Sequence, residues 1–267
     1  MLVAPRIRRL LAPNPSPLTG DGTNTYLVGE QDIVVVDPGP DLPEHIAAIL
    51  AAASRGRRIT ALAVTHGHPD HLPAAFSLRE RVGAPILGHP SLAGIDRPLH
   101  DGALLEMGDV PIAVLETPGH ARDHLAFWIA ADRVLLAGDL IAGTGTVVLD
   151  ETADALERYL ESLGRVLALD PRVILPGHGP LISDGRAKIR EYLAHRAERD
   201  RQILAVLQKG EATIDEIVRQ VYTGVPPPLQ PLAARNVRAH LARLASLGKV
   251  TRRGDRWRLS EDAGRWR

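Results

Sequence analysis

The chain has 267 residues, 45 % of them hydrophobic and 24 % charged, with no cysteine. These are ordinary globular values, and the length allows one large domain or a large and a small one. The lack of cysteine excludes a disulfide scaffold and any thiolate metal site, so metal chemistry must run on His, Asp and Glu. No apolar run approaches the roughly 20 residues of a membrane span.

A formal net charge of zero conceals a split. Residues 1–185 carry 14 Lys+Arg against 23 Asp+Glu, and residues 186–267 carry 18 against 9. A net of −9 followed by a net of +9 points to two modules, 1–185 and 186–267, with different partners.

The N-terminal MLVAPRIRRLLAPNPSP contains Arg6, Arg8 and Arg9 but no long apolar stretch after them. It reads as the first strand of a cytoplasmic protein, with an Arg-containing transit segment as the alternative. TYLVG (Thr25–Gly29) and DIVVVDPG (Asp32–Gly39) predict consecutive strands around a turn. Leu42 to Ser54 predicts a helix opened by Asp41-Leu-Pro and closed near Gly56. ITALAVT is a buried strand that runs into THGHPDH, and Pro73 to Val82 is the next helix. APILGH, VPIAVLETPGH and HLAFWIAADRVLLAGD supply further strands, Asp154 to Ala168 an amphipathic helix, and RVILPGHG a last strand. This order suits an α/β sandwich with sheets inside, helices outside and function on the strand-end loops.

From Asp184 the texture changes. Arg186 to Lys209 predicts a long charged helix, ATIDEIVRQVY a shorter one capped by Thr213, and Ala233 to Leu247 a third, after a PPPLQP break and before Gly248. KVTRRGDRWRLS predicts a hairpin about Gly254-Asp255. Three helices and a hairpin make a winged helix-turn-helix module.

Candidate metal ligands end four of the strands: His66, His68, Asp70 and His71, then His120 in TPGH, Asp139 in LAGD and His178 in PGHG. Imidazoles and carboxylates packed this tightly are costly to bury without partners, and a pair of divalent ions calls for about this set. The spacing of His66 and His68 sends both rings to one side of an extended loop, leaving Asp70 and His71 for a second ion. Gly67, Gly119, Gly177 and Gly179 permit close backbone approach around the ions.

The series His66-x-His68-x-Asp70-His71, His120, Asp139, His178 resembles the metallo-β-lactamase superfamily over roughly residues 20–185. TGDGTNTYLVG, TPGHARDH, LLAGDLIAGTGTVV and NVRAHLARLASLGKV are similar to the β-lactamase-like protein 2 group, which extends the resemblance over nearly the whole chain. The resemblance implies an αββα sandwich followed by a small winged-helix domain. It implies that His66, His68 and His120 hold one zinc ion, that Asp70, His71 and His178 hold a second, that Asp139 bridges them, and that a metal-bridging hydroxide is the nucleophile. Members of the group are associated with cleavage of single-stranded RNA, while related fungal proteins hydrolyse acyl-carrier-protein thioesters.

Around this set, Asp70 and His124 are the candidate catalytic residues. His124 has two open roles: a substrate-facing imidazole, or a structural one that holds its loop. Thr144-Gly145-Thr146 is a turn or a backbone cradle for phosphate. Asp37 is expected to orient a metal-site loop by accepting hydrogen bonds. His45, His89, His100, His195 and His240 are expected to be solvated or structural.

A true β-lactamase is disfavoured by the missing cysteine and export signal. A glyoxalase-type enzyme would end in a helical region rather than a winged helix, and an RNase Z or β-CASP nuclease needs an inserted arm or domain. Endonucleolytic hydrolysis of single-stranded RNA is the leading expectation, drawn from the basic C-terminal third with Arg235, Arg238, Arg243, Lys249, Arg252, Arg253, Arg256 and Arg258. Candidate stacking aromatics are few: Tyr222, Trp257 and Trp266. Thioester or ester hydrolysis is the alternative, and a non-catalytic nucleic-acid-binding regulator, disfavoured by the complete ligand set, is the second.

Overall fold

The computed structural model describes residues 1–54 and 56–261; Trp266, one of the candidate stacking aromatics, lies outside the described residues. Seven strands form the first sheet in chain order: β1 (Leu2–Ala4), β2 (Ile7–Leu11), β3 (Asn24–Val28), β4 (Asp32–Val36), β5 (Arg58–Ala63), β6 (Ile86–Gly88) and β7 (Arg97–Pro98). Pairing is antiparallel from β1 to β4 and parallel from β4 to β7. A second sheet holds β8 (Leu104–Leu105), β9 (Ile112–Glu116), β10 (Leu125–Ile129), β11 (Val134–Gly138) and β12 (Val173–Pro176), with only β11 and β12 parallel.

The continuous apolar runs follow from burial of both faces of each sheet. In β3 and β4 the residues Tyr26, Val28, Val34 and Val36 turn inward to meet Phe127, Ile129, Val134 and Leu136 of the second sheet. Their alternates Leu27, Ile33 and Val35 face outward onto α1 (Pro43–Ala52) and α2 (Ala74–Val82), through Ile46, Ile49 and Leu78. The outer face of the second sheet, with Ala126, Leu135 and Ile174, is covered by Leu156, Tyr159 and Leu163 of α3 (Ala155–Ala168). The result is the expected four-layer sandwich.

The long helix α4 (Gly185–Gln208) starts at Asp184, whose carboxylate accepts the Ala187 N–H at 2.9 Å. It serves two cores: Ile189 and Tyr192 pack on the sandwich, while Ile203, Val206 and Leu207 pack with the C-terminal elements. Those are α5 (Ile214–Val221), α6 (Gln230–Ser246) and a three-stranded sheet of β13 (Ala212–Thr213), β14 (Val250–Arg253) and β15 (Arg256–Leu259), in the order β13-β15-β14. Thr213 and Glu216 form a reciprocal capping box, as a helix start at that threonine requires.

One boundary differs from the sequence expectation. The proline-rich break is only a 3-10 turn (Pro227–Leu229), and α6 begins at Gln230, ahead of the expected Ala233. Pro231 falls in the first helical turn, where its missing N–H would have no intrahelical partner in any case. Among the described residues no helix is long and apolar enough to cross a membrane.

Candidate metal centre

The four ligand-bearing loops meet at one end of the sandwich. β5 delivers His66 and His68, the turn before α2 carries Asp70 and His71, and the β9–β10 loop carries His120. Asp139 and His178 follow β11 and β12, which lie side by side. Two groups result, each with ligand atoms within 4.8 Å of one another: His66, His68, His120 and Asp139, then Asp70, His71 and His178. Asp139 touches both. Its Oδ2 is 3.4 Å from His120 Nε2, and its Oδ1 is 3.5 Å from His71 Nε2 and 3.3 Å from His178 Nε2.

Two glycines make this approach sterically allowed. A Cβ on Gly177 would stand 2.4 Å from Asp139 Oδ1. Gly119 has φ +140 and its backbone lies against Tyr159, where a Cβ would meet the Tyr159 Cβ at 2.5 Å.

The hydrogen bonds on the outer sides of the rings fit a bound metal. His71 Nδ1 donates to Asp37 Oδ2 at 2.9 Å, His120 Nδ1 to the Val148 carbonyl at 2.7 Å and His178 Nδ1 to the Gly22 carbonyl at 3.2 Å. His66 Nδ1 donates to Thr65 Oγ1 at 2.9 Å, and that hydroxyl in turn donates to Asp37 at 2.9 Å. In this arrangement each of the four rings, when neutral, presents a lone pair on Nε2 to the centre. His71 and His178 do so with their Nε2 atoms 3.4 Å apart. Inward-facing lone pairs and two carboxylates suit divalent cations held by nitrogen and oxygen.

Electrostatics agree. Burial opposes charge on His71, yet the carboxylates of Asp37, Asp139 and Asp70 push it up to about 9. Burial is likewise outweighed at His178, which Asp139 and Asp70 push up to about 10. For Asp70, burial would raise the value but contact with His178 and His71 brings it down to about 2. Asp139 is held well below the usual carboxylate range by His71, His178 and His120 despite its burial. Burial and the neighbouring rings depress His66 and His68. The centre therefore favours positive charge on the side where Asp70, His71 and His178 meet, and neutral imidazoles around His66 and His68.

Asp37 is a hub. It is buried with φ 50, accepts the Thr65 N–H at 2.8 Å, and so ties the end of β5 to His71. That is the orienting role expected of it.

His124 does not face the cleft. It is 1 % exposed; its Nε2 accepts the Asp139 N–H at 3.0 Å, which leaves Nδ1 to donate to Thr117 Oγ1 at 2.8 Å. With both nitrogens engaged it positions the Asp139 main chain and has no atom free for a substrate. These contacts accord with the structural one of the two roles open to it. Among the other histidines, His45 is buried against Thr25 Oγ1 at 2.8 Å, and His240 is buried against Asp200 at 2.7 Å. His100 is exposed, while His89 and His195 are half-buried.

Supporting residues invisible to motif reading include Asp123, which accepts the Gly67 N–H at 2.8 Å. Asn24 is another: its amide donates to the carbonyls of Pro176 and Gly179, both at 2.9 Å, and so fixes the His178 loop.

The centre opens into a cleft of about 570 Å3 between sandwich and winged helix. Its lining includes His68, Asp70, His120, Asp139 and His178 on one side. Tyr222, Val225, Leu229, Leu232, Ala233, Arg235 and Asn236 come from the C-terminal module, and Leu18 and the strap Thr144–Val148 complete it. The expected Thr144-Gly145-Thr146 turn is thus a wall of the cleft.

Residues 18–178 match the model of the Metallo-beta-lactamase superfamily, and residues 213–257 that of the Beta-lactamase associated winged helix domain. A Beta-lactamase-like protein 2 homolog from Caenorhabditis elegans is 33 % identical over 256 residues, covering 91 % of this chain and 85 % of that protein. An atrochrysone carboxyl ACP thioesterase from Aspergillus chevalieri is 32 % identical over 239 residues, covering 84 % of this chain and 75 % of that protein. Among solved structures, a metallo-beta-lactamase family protein from Thermus thermophilus superposes with a TM-score of 0.79 at 27 % identity, covering 96 % of this chain and 99 % of that one. With its sandwich, His/Asp clusters and appended winged helix, the chain belongs to the metallo-β-lactamase superfamily and is a metal-dependent hydrolase.

Proposed function

We propose that the chain hydrolyses thioesters or esters whose acyl group seats in the cleft between sandwich and winged helix. The observation that carries this reading is the lining of the cleft. Leu18, Val225, Leu229 and Leu232 share it with the ligand side chains, and Arg235 is its only Lys or Arg among the described residues. Aliphatic walls hold an acyl or aryl group by removing it from water. A phosphate backbone would need repeated cationic contacts instead.

Much of the C-terminal positive charge is turned to internal partners. Arg243 pairs with Asp200 at 2.7 Å, Arg256 with Glu216 at 2.9 Å and Arg258 with Glu261 at 3.4 Å. The thioesterase among the relatives accords with an acyl substrate.

In this reading His66, His68 and His120 hold one ion, Asp70, His71 and His178 a second, and Asp139 is shared. Zinc suits a set of imidazole nitrogens and carboxylate oxygens. Two such ions would supply Lewis acidity and a water ionised near neutral pH. Asp139 and Asp70 would balance the positive charge; Asp70, with a quarter of its side chain exposed, borders the cleft, and in this reading it would accept a proton from water. Asp37 and His124 keep His71 and Asp139 in position without touching substrate. The aliphatic walls orient the acyl group and exclude bulk water.

Hydrolysis of single-stranded RNA is the second reading, because Arg238, Lys249, Arg252 and Arg253 are exposed on α6 and the wing. The discriminating experiment assays the zinc-loaded chain on acyl thioesters of increasing chain length and on single-stranded RNA. It compares Leu232→Ser with the triple change Arg238→Ser, Arg252→Ser, Arg253→Ser. Thioester turnover that drops with Leu232→Ser and ignores the triple change supports the proposal. RNA cleavage that drops with the triple change, with a salt slope shallower by about 0.7 per lost phosphate contact, would overturn it.

A further inference from the structure

The wall of the cleft nearest His120 is a strap without regular secondary structure, residues 141–150. Between Thr144 and Leu149, among the described residues, its hydrogen bonds have two sources. The Val148 carbonyl accepts the His120 Nδ1–H at 2.7 Å. The others come from α4 and α6. Tyr192 Oη donates to the Gly145 carbonyl at 3.0 Å, Arg196 Nη2 to the Val147 carbonyl at 2.8 Å and Arg235 Nη2 to the Leu149 carbonyl at 3.0 Å. Asn236 Oδ1 accepts the Leu149 N–H at 3.4 Å.

Arg196 is the unusual member. It is 1 % exposed, lies over the Tyr159 ring at 5.0 Å, and has no acidic partner among the described residues. Its Nε and Nη1 make no hydrogen bond. A buried guanidinium with incomplete pairing costs stability, and its one hydrogen bond is to the strap.

We infer that the C-terminal module is a working part of the metal centre: through Arg196, Arg235 and Asn236 it clamps Val147–Leu149 and thereby fixes His120. The Val148 carbonyl, held between two pinned neighbours, cannot swing away from the ring. Its hydrogen bond keeps the proton on Nδ1 and presents the Nε2 lone pair to the site. Arg196 is a positioning residue, acting through the strap. The group Asp70, His71 and His178 hangs instead from Asp37 and the Gly22 carbonyl; it meets the strap at the opposite end, where the Gly143 N–H donates to the His178 carbonyl at 2.8 Å, and makes no hydrogen bond with the clamped Val147–Leu149 among the described residues. Loosening the clamp therefore weakens one ion site selectively, whereas general destabilisation weakens both.

The inference rests on the two-ion reading above and is independent of the substrate. The test uses the full chain, stripped of metal and titrated with zinc against a chromophoric chelator, with melting temperature followed in parallel. Wild type must first bind two ions; fewer would sink the two-ion reading rather than this one. Arg196→Met fills similar space without the donor, and replacing a buried charge by an apolar side chain need not destabilise.

The expected result is one zinc affinity reduced about ten- to a hundredfold, as for other partners of metal-ligating histidines, with the other little changed. Arg196→Lys, which keeps a donor, should restore part of the loss. In the metal-free protein the His120 Nδ1–H should give a protected imidazole resonance, assigned by its loss in His120→Gln and broadened in Arg196→Met. Two unchanged affinities, two equal losses, or an undisturbed resonance would overturn the inference. Should Arg196→Met fail to fold, Asn236→Ala carries the same comparison.

Discussion

Replacing Gly177 by alanine adds one methyl group at the point where the two ligand groups meet. The backbone there is tied on both sides: its N–H donates to the Gly138 carbonyl and its carbonyl accepts the Asn24 N–H, both at 2.8 Å. The new Cβ would lie 2.4 Å from Asp139 Oδ1 and 2.8 Å from His71 Cε1, where ordinary contact begins at 3.4 Å. The carboxylate oxygen must therefore retreat by about 1 Å and the ring by about half that, since the laced backbone cannot give way. Gly177 lies outside the left-handed region, so the penalty is contact and not dihedral strain. Overpacking of this kind costs about 1–3 kcal/mol of stability. A 1 Å displacement at reacting groups can cost about a hundredfold in rate. We therefore expect Gly177→Ala to fold, to bind zinc about ten- to a hundredfold more weakly, and to turn over about a hundredfold more slowly. Chelator competition and thioester hydrolysis by the zinc-loaded protein measure the two losses. Gly164→Ala is the control: this exposed helical glycine has nothing within 4 Å of its would-be Cβ, and it should gain up to about 1 kcal/mol with metal binding untouched. Wild-type zinc affinity in Gly177→Ala would refute the crowding argument.

Asp139→Ala should lower the content of both ions, and more than His120→Ala or His178→Ala, because Asp139 touches both groups; elemental analysis that still finds two tightly held ions contradicts its shared role. Thr213→Ala removes the acceptor of the Glu216 N–H, 3.2 Å away, and should cost about 1 kcal/mol of stability; an unchanged urea midpoint would count against the capping box. His195, half-buried beside Arg196 and Arg199, is lowered to about 4 by burial first and by those cations second. A histidine depressed in the folded state is protonated first when unfolded, so its contribution is complete above about 6.5 and is lost as pH falls toward 4. His195→Gln should flatten the fall in stability across that window, and an equally steep fall in variant and wild type would dismiss the effect.

The parts of the site that were legible in the sequence are those where chemistry restricts the side chain. Metal coordination accepts few residue types, and His66, His68, Asp70, His71, His120, Asp139 and His178 all follow strands whose apolar runs are unmistakable because both sheet faces are buried. Asp37 was readable for a related reason, since a carboxylate ending a buried strand needs donors. His124 stayed open between two roles because a histidine's role depends on what each nitrogen meets, and Thr117 and the Asp139 N–H lie at no fixed sequence spacing from it. The C-terminal charge is hard to read in another way: composition counts arginines but not their partners, and pairs such as Arg243 with Asp200 span 43 residues. Least legible is the strap. Its contacts run through backbone carbonyls, which every residue possesses, so nothing in GTGTVVLD distinguishes Val148 as the residue that meets His120. The same anonymity explains how a winged helix can resemble a nucleic-acid module in sequence and still brace a metal ligand. Its recognisable features are the helices and hairpin that make it fold. The residues that join it to the centre, Arg196, Arg235 and Asn236, form no local pattern and become visible only when the two cores are seen to share α4.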